Sequence, residues 1–179
     1  MIGVLVSGTG TNLQTLLDAE LPVRAVASNK ADAPALARAS HLPNASFELA
    51  DYASRAKRDT AMADWLQAQG VELVVLAGYM HILTPAFLER FPARVVNVHP
   101  SLLPEFPGAH AVADQLAAGA AEAGVTVHLV DEDVDTGPIL LQERVPVQAG
   151  DTVETLHARI KEVEHRLLPA AVEELLCAH

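Results

Sequence analysis

The sequence is poor in cysteine, in basic residues and in long apolar runs. One cysteine, Cys177, among 179 residues excludes an internal disulfide and a cysteine-rich zinc site. No stretch approaches the roughly 20 apolar residues that a membrane span needs. The apolar start of the chain lacks the basic segment of a signal peptide, so we expect a soluble cytoplasmic protein. Only 12 basic residues face 23 acidic ones, for a net charge of −11, which argues against a protein that mainly binds nucleic-acid phosphates.

Apolar residues, by contrast, are plentiful. Half of the chain is hydrophobic, which excludes a disordered protein. Its length suits one domain, because domains typically run to about 100–200 residues. The sequence contains no internal repeat, low-complexity tract or linker, so we expect a single domain over residues 1–179.

Short apolar runs alternate with helical patterns along the chain. The runs predict strands at residues 2–6, 23–27, 45–49, 73–77 and 94–99, and helical spacing follows near 11–17, 32–39 and 54–69. Unbroken apolar strands separated by helices are typical of a parallel sheet that is covered on both faces. The sequence therefore predicts a doubly wound α/β fold, with a mostly parallel sheet and helices on both faces.

The last third of the chain changes pattern. Residues 125–130 and 139–147 flank an acidic turn and predict a hairpin added to the sheet. A long C-terminal helix follows, for which Asp151 and Glu154 have the spacing of a capping box. Pro169 is expected to interrupt or kink that helix.

A glycine loop, Ser7-Gly8-Thr9-Gly10-Thr11-Asn12, joins the first strand to the first helix. Ligands of doubly wound folds bind at this edge of the sheet, and the start of a helix attracts anions. A dinucleotide fingerprint would need a third glycine where Leu13 stands, and a triphosphate loop would need Gly-Lys-Ser/Thr. A monophosphate held by Gly10, Thr11 and Asn12 is one interpretation; a tight turn with a helix cap is the other.

Two polar residues, Asn97 and His99, interrupt an apolar strand that Pro100 ends. Because they are two residues apart, their side chains project from the same face. They could be core residues that satisfy each other's hydrogen bonds. Together at the carboxyl end of a strand they favour a catalytic site, in which an amide stabilises an oxyanion and an imidazole donates a proton.

The acidic turn places Asp131, Asp133 and Asp135 at alternate positions. A calcium loop would need a glycine at Thr136 and a glutamate at Gln142, so that interpretation fails. The turn is either a solvated hairpin turn or the source of a catalytic carboxylate. In the second case Asp135 is the candidate, because the turn at Gly137-Pro138 would fix it, and it would favour a protonated His99.

These motifs, in this order, resemble the phosphoribosylglycinamide formyltransferase family (GAR transformylases). The resemblance covers essentially the whole chain and rests on the following segments: Ser7–Asn12, Ser28-Asn-Lys-Ala-Asp32, Ala77-Gly-Tyr-Met-His-Ile-Leu83, Asn97-Val-His-Pro-Ser-Leu-Leu-Pro104 and His128 to Pro138. It implies formyl transfer from 10-formyltetrahydrofolate to the primary amine of glycinamide ribonucleotide (GAR) in purine biosynthesis. The folate would be a co-substrate, with no permanently bound cofactor and no metal.

The resemblance also implies the roles of single residues. Asn97, His99 and Asp135 would be catalytic, and Gly10, Thr11 and Asn12 would hold the substrate phosphate. Glu164 would hold GAR, and Lys161 could approach the phosphate or be an ordinary exposed lysine. The implied folate contacts are Arg55, Met80, His81, Ile82, Leu83 and Asn97, together with the acidic turn.

The resemblance bears on two further positions, His81 and His110. The family commonly has arginine where this chain has His81, so we expect the backbone rather than a charge to act there. His110 would lie in a loop that closes on the substrates.

The expected partners are GAR and 10-formyltetrahydrofolate, without nucleic acid or membrane, for a chain that is a monomer or a homodimer. Three alternatives stay open at this point. They are a formyltetrahydrofolate hydrolase, another formyltransferase on the same scaffold (for example one acting on methionyl-tRNA) and a non-catalytic sensor of a phosphate ligand.

Overall fold

Buried apolar strands form the centre of the structure, a computed structural model in which residues 1–178 are described. The described chain divides into two compact units, Met1–Val96 and a second that begins at Asn97. The strands of the first unit are β1 (Ile2–Val6), β2 (Val23–Ser28), β3 (Asn44–Ser46) and β4 (Leu73–Leu76). Its helices are α1 (Thr11–Asp18), α2 (Pro34–Arg38), α3 (Arg55–Ala68) and α4 (Pro85–Leu88). Strand β5 (Val95–His99) begins in this unit and ends in the second.

Parallel pairing dominates the first unit. β1 pairs in parallel with β2 and with β4, and β2 pairs in parallel with β3. Every residue of β1 and β4 is buried, as expected for strands covered on both faces. On α1, Leu13 and Leu16 are fully buried, and each such side chain contributes about 1.5–3 kcal/mol to the stability of the fold.

The second unit contains α5 (Ala111–Ala117), β6 (Glu122–Leu129), β7 (Ile139–Pro146) and α6 (Val153–Cys177). β6 and β7 form the expected antiparallel hairpin, in which Val127 faces Leu141. α6 packs against both strands, with Leu156, Ile160 and Leu168 buried.

Seven strands in the order β3-β2-β1-β4-β5-β6-β7 form the sheet. The predicted fold, a mostly parallel sheet with helices, an added hairpin and a long C-terminal helix, is confirmed. In the part of the chain described here, no helix is both long enough and apolar enough to cross a membrane.

The start of α6 differs from the expectation. The helix is capped by Thr152 and Thr155, whose side chains and backbone N–H groups bond reciprocally at 2.9 and 3.2 Å. The predicted pair Asp151 and Glu154 is wrong, because Asp151 instead accepts hydrogen bonds from both terminal nitrogens of Arg159 at 2.9 Å. An interruption at Pro169 is also wrong, since α6 continues through it to Cys177.

Candidate active site

Asn97 and His99 lie at the end of β5, where the strand stops before Pro100. His99 is buried and Asn97 is half-buried. The period of two along the strand directs both side chains to one face, as the sequence predicted. The contacts of the His99 ring nitrogens and of the Asn97 amide determine which reactions this site can catalyse.

Asp135 faces His99 from the turn between β6 and β7. Its Oδ2 lies 3.4 Å from His99 Nδ1 and accepts the backbone N–H of Gly108 at 2.8 Å. The side chain is 11% exposed, and the backbone is left-handed at φ 55°, which is uncommon for a residue with a side chain. The structure therefore holds this carboxylate against the imidazole despite a strained backbone.

The second nitrogen of His99 also faces an acceptor. Nε2 lies 2.8 Å from the carbonyl oxygen of Phe106. A neutral imidazole has only one N–H, whereas the imidazolium has two. Because a carbonyl and a carboxylate occupy the two sides of the ring, the imidazolium is the form that satisfies both contacts.

His128, on β6, joins Asn97 to this cluster. Its Nδ1 lies 2.8 Å from the carbonyl oxygen of Leu129, which accepts a hydrogen bond from it. Nε2 faces two groups, Asn97 Nδ2 at 3.3 Å and Asp135 Oδ1 at 3.6 Å. His128 thus orients the Asn97 amide, which has a second N–H for another partner.

Sequence reasoning gave His128 no role, although the signal was present. Thr126 and His128 are two apart in the buried run 123–128 of β6, whose other residues are alanine, glycine and valine, and both are buried. This is the same pattern that singled out Asn97 and His99 on β5.

The charge of Asp135 is stabilised by its surroundings. Burial by itself would raise the pKa of this carboxyl. The hydrogen bond from His128, the Gly108 N–H and the nearby imidazoles outweigh that effect and lower the pKa below its usual value. Asp135 is therefore a carboxylate at neutral pH, suited to holding a cationic His99.

A pocket of about 210 Å³ lies beside Asp135 within the second unit. Its lining is mostly apolar, and the residues are Leu103, Pro104, Pro107, Val134, Asp135, Thr136, Gly137 and Ile139. Asp131, Glu132 and Asp133 of the same turn are exposed. No group of three or more His, Cys, Asp or Glu residues suited to a metal ion occurs within residues 1–178.

The glycine loop leads into α1, whose N-cap is Gly10 in a left-handed conformation, φ 74°. A Cβ at this position would lie 2.6 Å from Cβ of Ala35, on α2, so no side chain fits here. The first turn of α1 has no acidic residue and no side-chain cap. The backbone N–H groups at the start of a helix, here at Thr11 and Asn12, suit an anion.

Glu164 and Lys161 lie on α6, three residues apart. Glu164 is buried and Lys161 is partly exposed. Residues at this spacing share a helix face. His110, the N-cap of α5, is exposed and caps that helix with no side-chain bond.

The segment implied for folate binding, residues 80–83, follows β4. Met80 and Ile82 are 65% and 58% exposed, whereas Leu83 is buried. The pKa of His81 is lowered by burial and by the nearby charges of Arg58, Arg55 and Lys30, so its ring is neutral near pH 7. Arg55 is exposed, at the first position of α3.

Comparison with known proteins extends over the whole chain. The formyl transferase family matches residues 1–172. Phosphoribosylglycinamide formyltransferase of Mycobacterium tuberculosis H37Rv is 51% identical over 178 residues, covering 96% of this chain and 83% of that protein. The enzyme of the same name from Haemophilus influenzae is 44% identical over 180 residues, covering 96% and 85%. The crystal structure of phosphoribosylglycinamide formyltransferase from Streptococcus pneumoniae superimposes with a TM-score of 0.94 at 43% identity and covers 98% of both chains.

Proposed function

The chain belongs to the formyl transferase family, and from this premise we propose that it transfers a formyl group from 10-formyltetrahydrofolate to the primary amine of GAR. The products are formyl-GAR and tetrahydrofolate, in purine biosynthesis. The observation that carries the proposal is the cluster of Asn97, His128, Asp135 and His99 in a chain similar over its whole length to enzymes of that name. The hydrolase and sensor alternatives gain no support from the comparisons.

The reaction begins when the amine of GAR attacks the formyl carbon. Negative charge then develops on the formyl oxygen. We assign its stabilisation to the free N–H of Asn97 and to protonated His99, since losing one such donor typically costs about 10²–10³ in rate. Asp135 keeps His99 charged and oriented.

His99 must exchange one contact to reach the formyl oxygen. The carbonyl of Phe106 is the partner that it can leave, because Asp135 carries the charge that stabilises the imidazolium. The single O–H of Ser101 is shared between the carbonyl oxygens of Glu105, at 2.6 Å, and Phe106, at 3.2 Å. When His99 leaves, this shared O–H is the contact that the Phe106 carbonyl keeps.

The attacking amine becomes positive and must lose a proton, while the departing folate nitrogen must gain one. A water molecule held beside the Asp135 carboxylate would carry that proton from the amine to the folate nitrogen, as the bond between this nitrogen and the formyl carbon breaks. Binding the two substrates side by side would supply much of the remaining acceleration, up to about 7–11 kcal/mol.

Substrate binding is assigned to the other predicted residues. We propose that Gly10, Thr11 and Asn12 hold the phosphate of GAR, that Glu164 holds its glycinamide part and that Lys161 approaches the phosphate. Arg55 and residues 80–83 are assigned to the folate, with Asn97 and the acidic turn. The mainly apolar pocket beside Asp135 supports the last assignment, since a pterin ring needs apolar walls.

The family match across residues 1–172 also supports the proposal that both units act together as one formyltransferase domain. A cytoplasmic location, and a monomeric or homodimeric state, stay predictions from the sequence.

The proposal is tested by supplying the purified protein with 10-formyltetrahydrofolate and one acceptor at a time. With GAR we expect formyl-GAR and tetrahydrofolate in equal amounts, followed by folate absorbance and by mass. Formate release without an acceptor would indicate a hydrolase, and formylation of methionyl-tRNA would indicate the sibling activity. GAR binding by calorimetry without any turnover would indicate a sensor; each of these three results would overturn the proposal.

A further inference from the structure

A fully buried ion pair lies under the segment assigned to folate. Arg58 and Asp59, on α3, are both 0% exposed. Nε and Nη2 of Arg58 donate to Oδ1 of Asp59 at 2.9 and 2.6 Å. The other carboxylate oxygen, Oδ2, accepts the N–H and the hydroxyl of Thr84, both at 2.8 Å. Both carboxylate oxygens are therefore engaged, while Nη1 of Arg58 is left for a partner outside the pair.

That partner is His81. Nη1 of Arg58 lies 2.5 Å from His81 Nδ1. Arginine remains protonated in proteins and can only donate, so Nδ1 must be the acceptor and carries no hydrogen. The ring is therefore neutral, with its hydrogen on Nε2.

The side-chain amide of Asn29 joins His81 to Ser7. Its oxygen Oδ1 accepts the hydroxyl of Ser7 at 2.5 Å, and its nitrogen Nδ2 lies 3.2 Å from Nε2 of His81. The Ser7 oxygen in turn accepts the backbone N–H of Met80 at 2.9 Å.

The network holds both ends of residues 80–84. Met80 is bonded to Ser7 at one end, and Thr84 is bonded to Asp59 at the other. Between them His81 turns inward and the large apolar side chains of Met80 and Ile82 turn outward. Such exposure of two large apolar residues suits contact with a ligand.

We propose that His81 is a positioning residue, which acts as a neutral imidazole that accepts from Arg58 and contacts the Asn29 amide, and thereby fixes the backbone that presents Met80 and Ile82 to the folate. The last clause rests on the proposed function, whereas the hydrogen-bond network does not. The same geometry excludes arginine at position 81 as long as Arg58 is present. Two guanidinium groups would face each other, and both oxygens of Asp59 are already occupied.

The network itself is tested on the wild-type protein, without any substrate. The ¹⁵N chemical shifts of the His81 ring at pH 7.5 report which nitrogen carries hydrogen. We expect a protonated Nε2 and a bare Nδ1. A ring protonated on Nδ1, or on both nitrogens, would overturn the proposal whether or not the protein transfers formyl groups. If the transfer assay fails while this tautomer is found, the proposed function fails and the network stands.

Variants at position 81 test the positioning role. We expect H81A to raise KM for 10-formyltetrahydrofolate about tenfold, the effect of about 1.4 kcal/mol, with a much smaller change in kcat. H81Q supplies an amide oxygen that can accept from Arg58, so it should recover most of that loss. The exposed His41 provides a matched control, since H41A removes an imidazole outside the network. Equal KM in H81A and wild type, or a loss in H81Q as large as in H81A, would contradict the role.

A double substitution tests the exclusion of a second arginine. H81R should lower the melting temperature and raise the folate KM, and H81R/R58Q should recover both, because one guanidinium then remains beside Asp59. An H81R protein as stable and as active as the wild type would overturn the inference.

Discussion

At the scale of single residues, His99 is defined by its two acceptors. Asp135 lies at Nδ1 and the Phe106 carbonyl at Nε2, so both ring nitrogens face acceptors and the position of the ring is fixed from two sides. Such a fixed ring is preorganised, since it needs little rearrangement to stabilise an oxyanion.

Replacing His99 by alanine tests this role directly. We expect kcat to fall about 10²–10³-fold, because one donor to the oxyanion is lost. The affinity for GAR, measured by calorimetry, should change little. H41A, at an exposed histidine outside the candidate site, is a control. Near-normal turnover in H99A would show that His99 is not catalytic.

Gly137 allows the turn to approach β6 closely. A Cβ here would overlap the carbonyl oxygen of Leu129, which is also the acceptor for His128 Nδ1. We expect Gly137→Ala to displace that carbonyl and to cost about 1–3 kcal/mol in the free energy of unfolding, measured in urea. It should also lower kcat, because His128 and Asp135 would both move. Unchanged stability and kcat would mean that the turn adapts without disturbing the cluster.

At the scale of elements, the start of α1 combines two reasons for glycine at position 10. The backbone is left-handed, and α2 leaves no room for a side chain. Gly70 offers a matched comparison, since it is also left-handed, at φ 78°, but has open space around it.

We expect both G10A and G70A to lose stability, by about 1 kcal/mol for the backbone conformation. G10A should lose more, because Ala35 must move, and only G10A should raise KM for GAR. T11A should likewise raise KM for GAR and leave KM for the folate unchanged. Steady-state kinetics with each substrate varied in turn measures this. An effect of T11A confined to the folate would reverse the assignment of the glycine loop.

The elements also show what the sequence could predict. Unbroken apolar runs predicted β1, β4 and β5 to within a residue or two, because burial on both faces leaves a continuous pattern. The sequence pattern did not predict the short helices α4 and α5, of 4 and 7 residues. Helices of this length contain too few residues to show a period of 3.6 in the sequence. The cap of α6 was misassigned because threonine pairs and acidic pairs offer similar bonds, and the competing contact from Arg159 is eight residues away.

The candidate site, like the fold, could be predicted from the sequence only in part. A period of two drew attention to Asn97 and His99, and the turn at Gly137-Pro138 singled out Asp135, which the resemblance also implied. The contacts of His128, Phe106 and Gly108 depend on where loops fold back, and no local pattern carries that information. His81, where the family commonly has arginine, contacts Arg58 on α3, and only tertiary structure reveals this contact.

At the scale of the whole molecule, several groups make stability depend on pH in the same direction. Burial, together with nearby positive charge, lowers the pKa of His81, His157 and His165. A group with a lowered pKa in the folded state contributes stability that is present above its unfolded pKa, about 6.5 for histidine, and is lost as pH falls. Asp135 and Asp151, also lowered, add a second loss below about pH 4.

We therefore expect the urea midpoint to fall as pH is lowered from 7.5 to 5.5. Acid also reduces the net charge of −11, which acts in the opposite direction. Comparing the wild type with H81Q cancels this effect of net charge, because both proteins share it. H81Q should lose less stability over this interval, because a glutamine side chain does not titrate next to Arg58 and Lys30. Parallel pH profiles for the two proteins would show that His81 takes no part in the acid response.

The two polar pairs at the ends of β5 and β6 have one more consequence. Asn97 and His99 alternate with valines on their strand, and Thr126 and His128 alternate with Val125 and Val127 on theirs. Substrate chemistry and folding therefore depend on interleaved positions of the same short segments. Selection for a new acceptor substrate can change the polar positions of β5 and β6 while the valines between them are retained. The substrate specificity of the site can therefore change while the hydrophobic core stays the same.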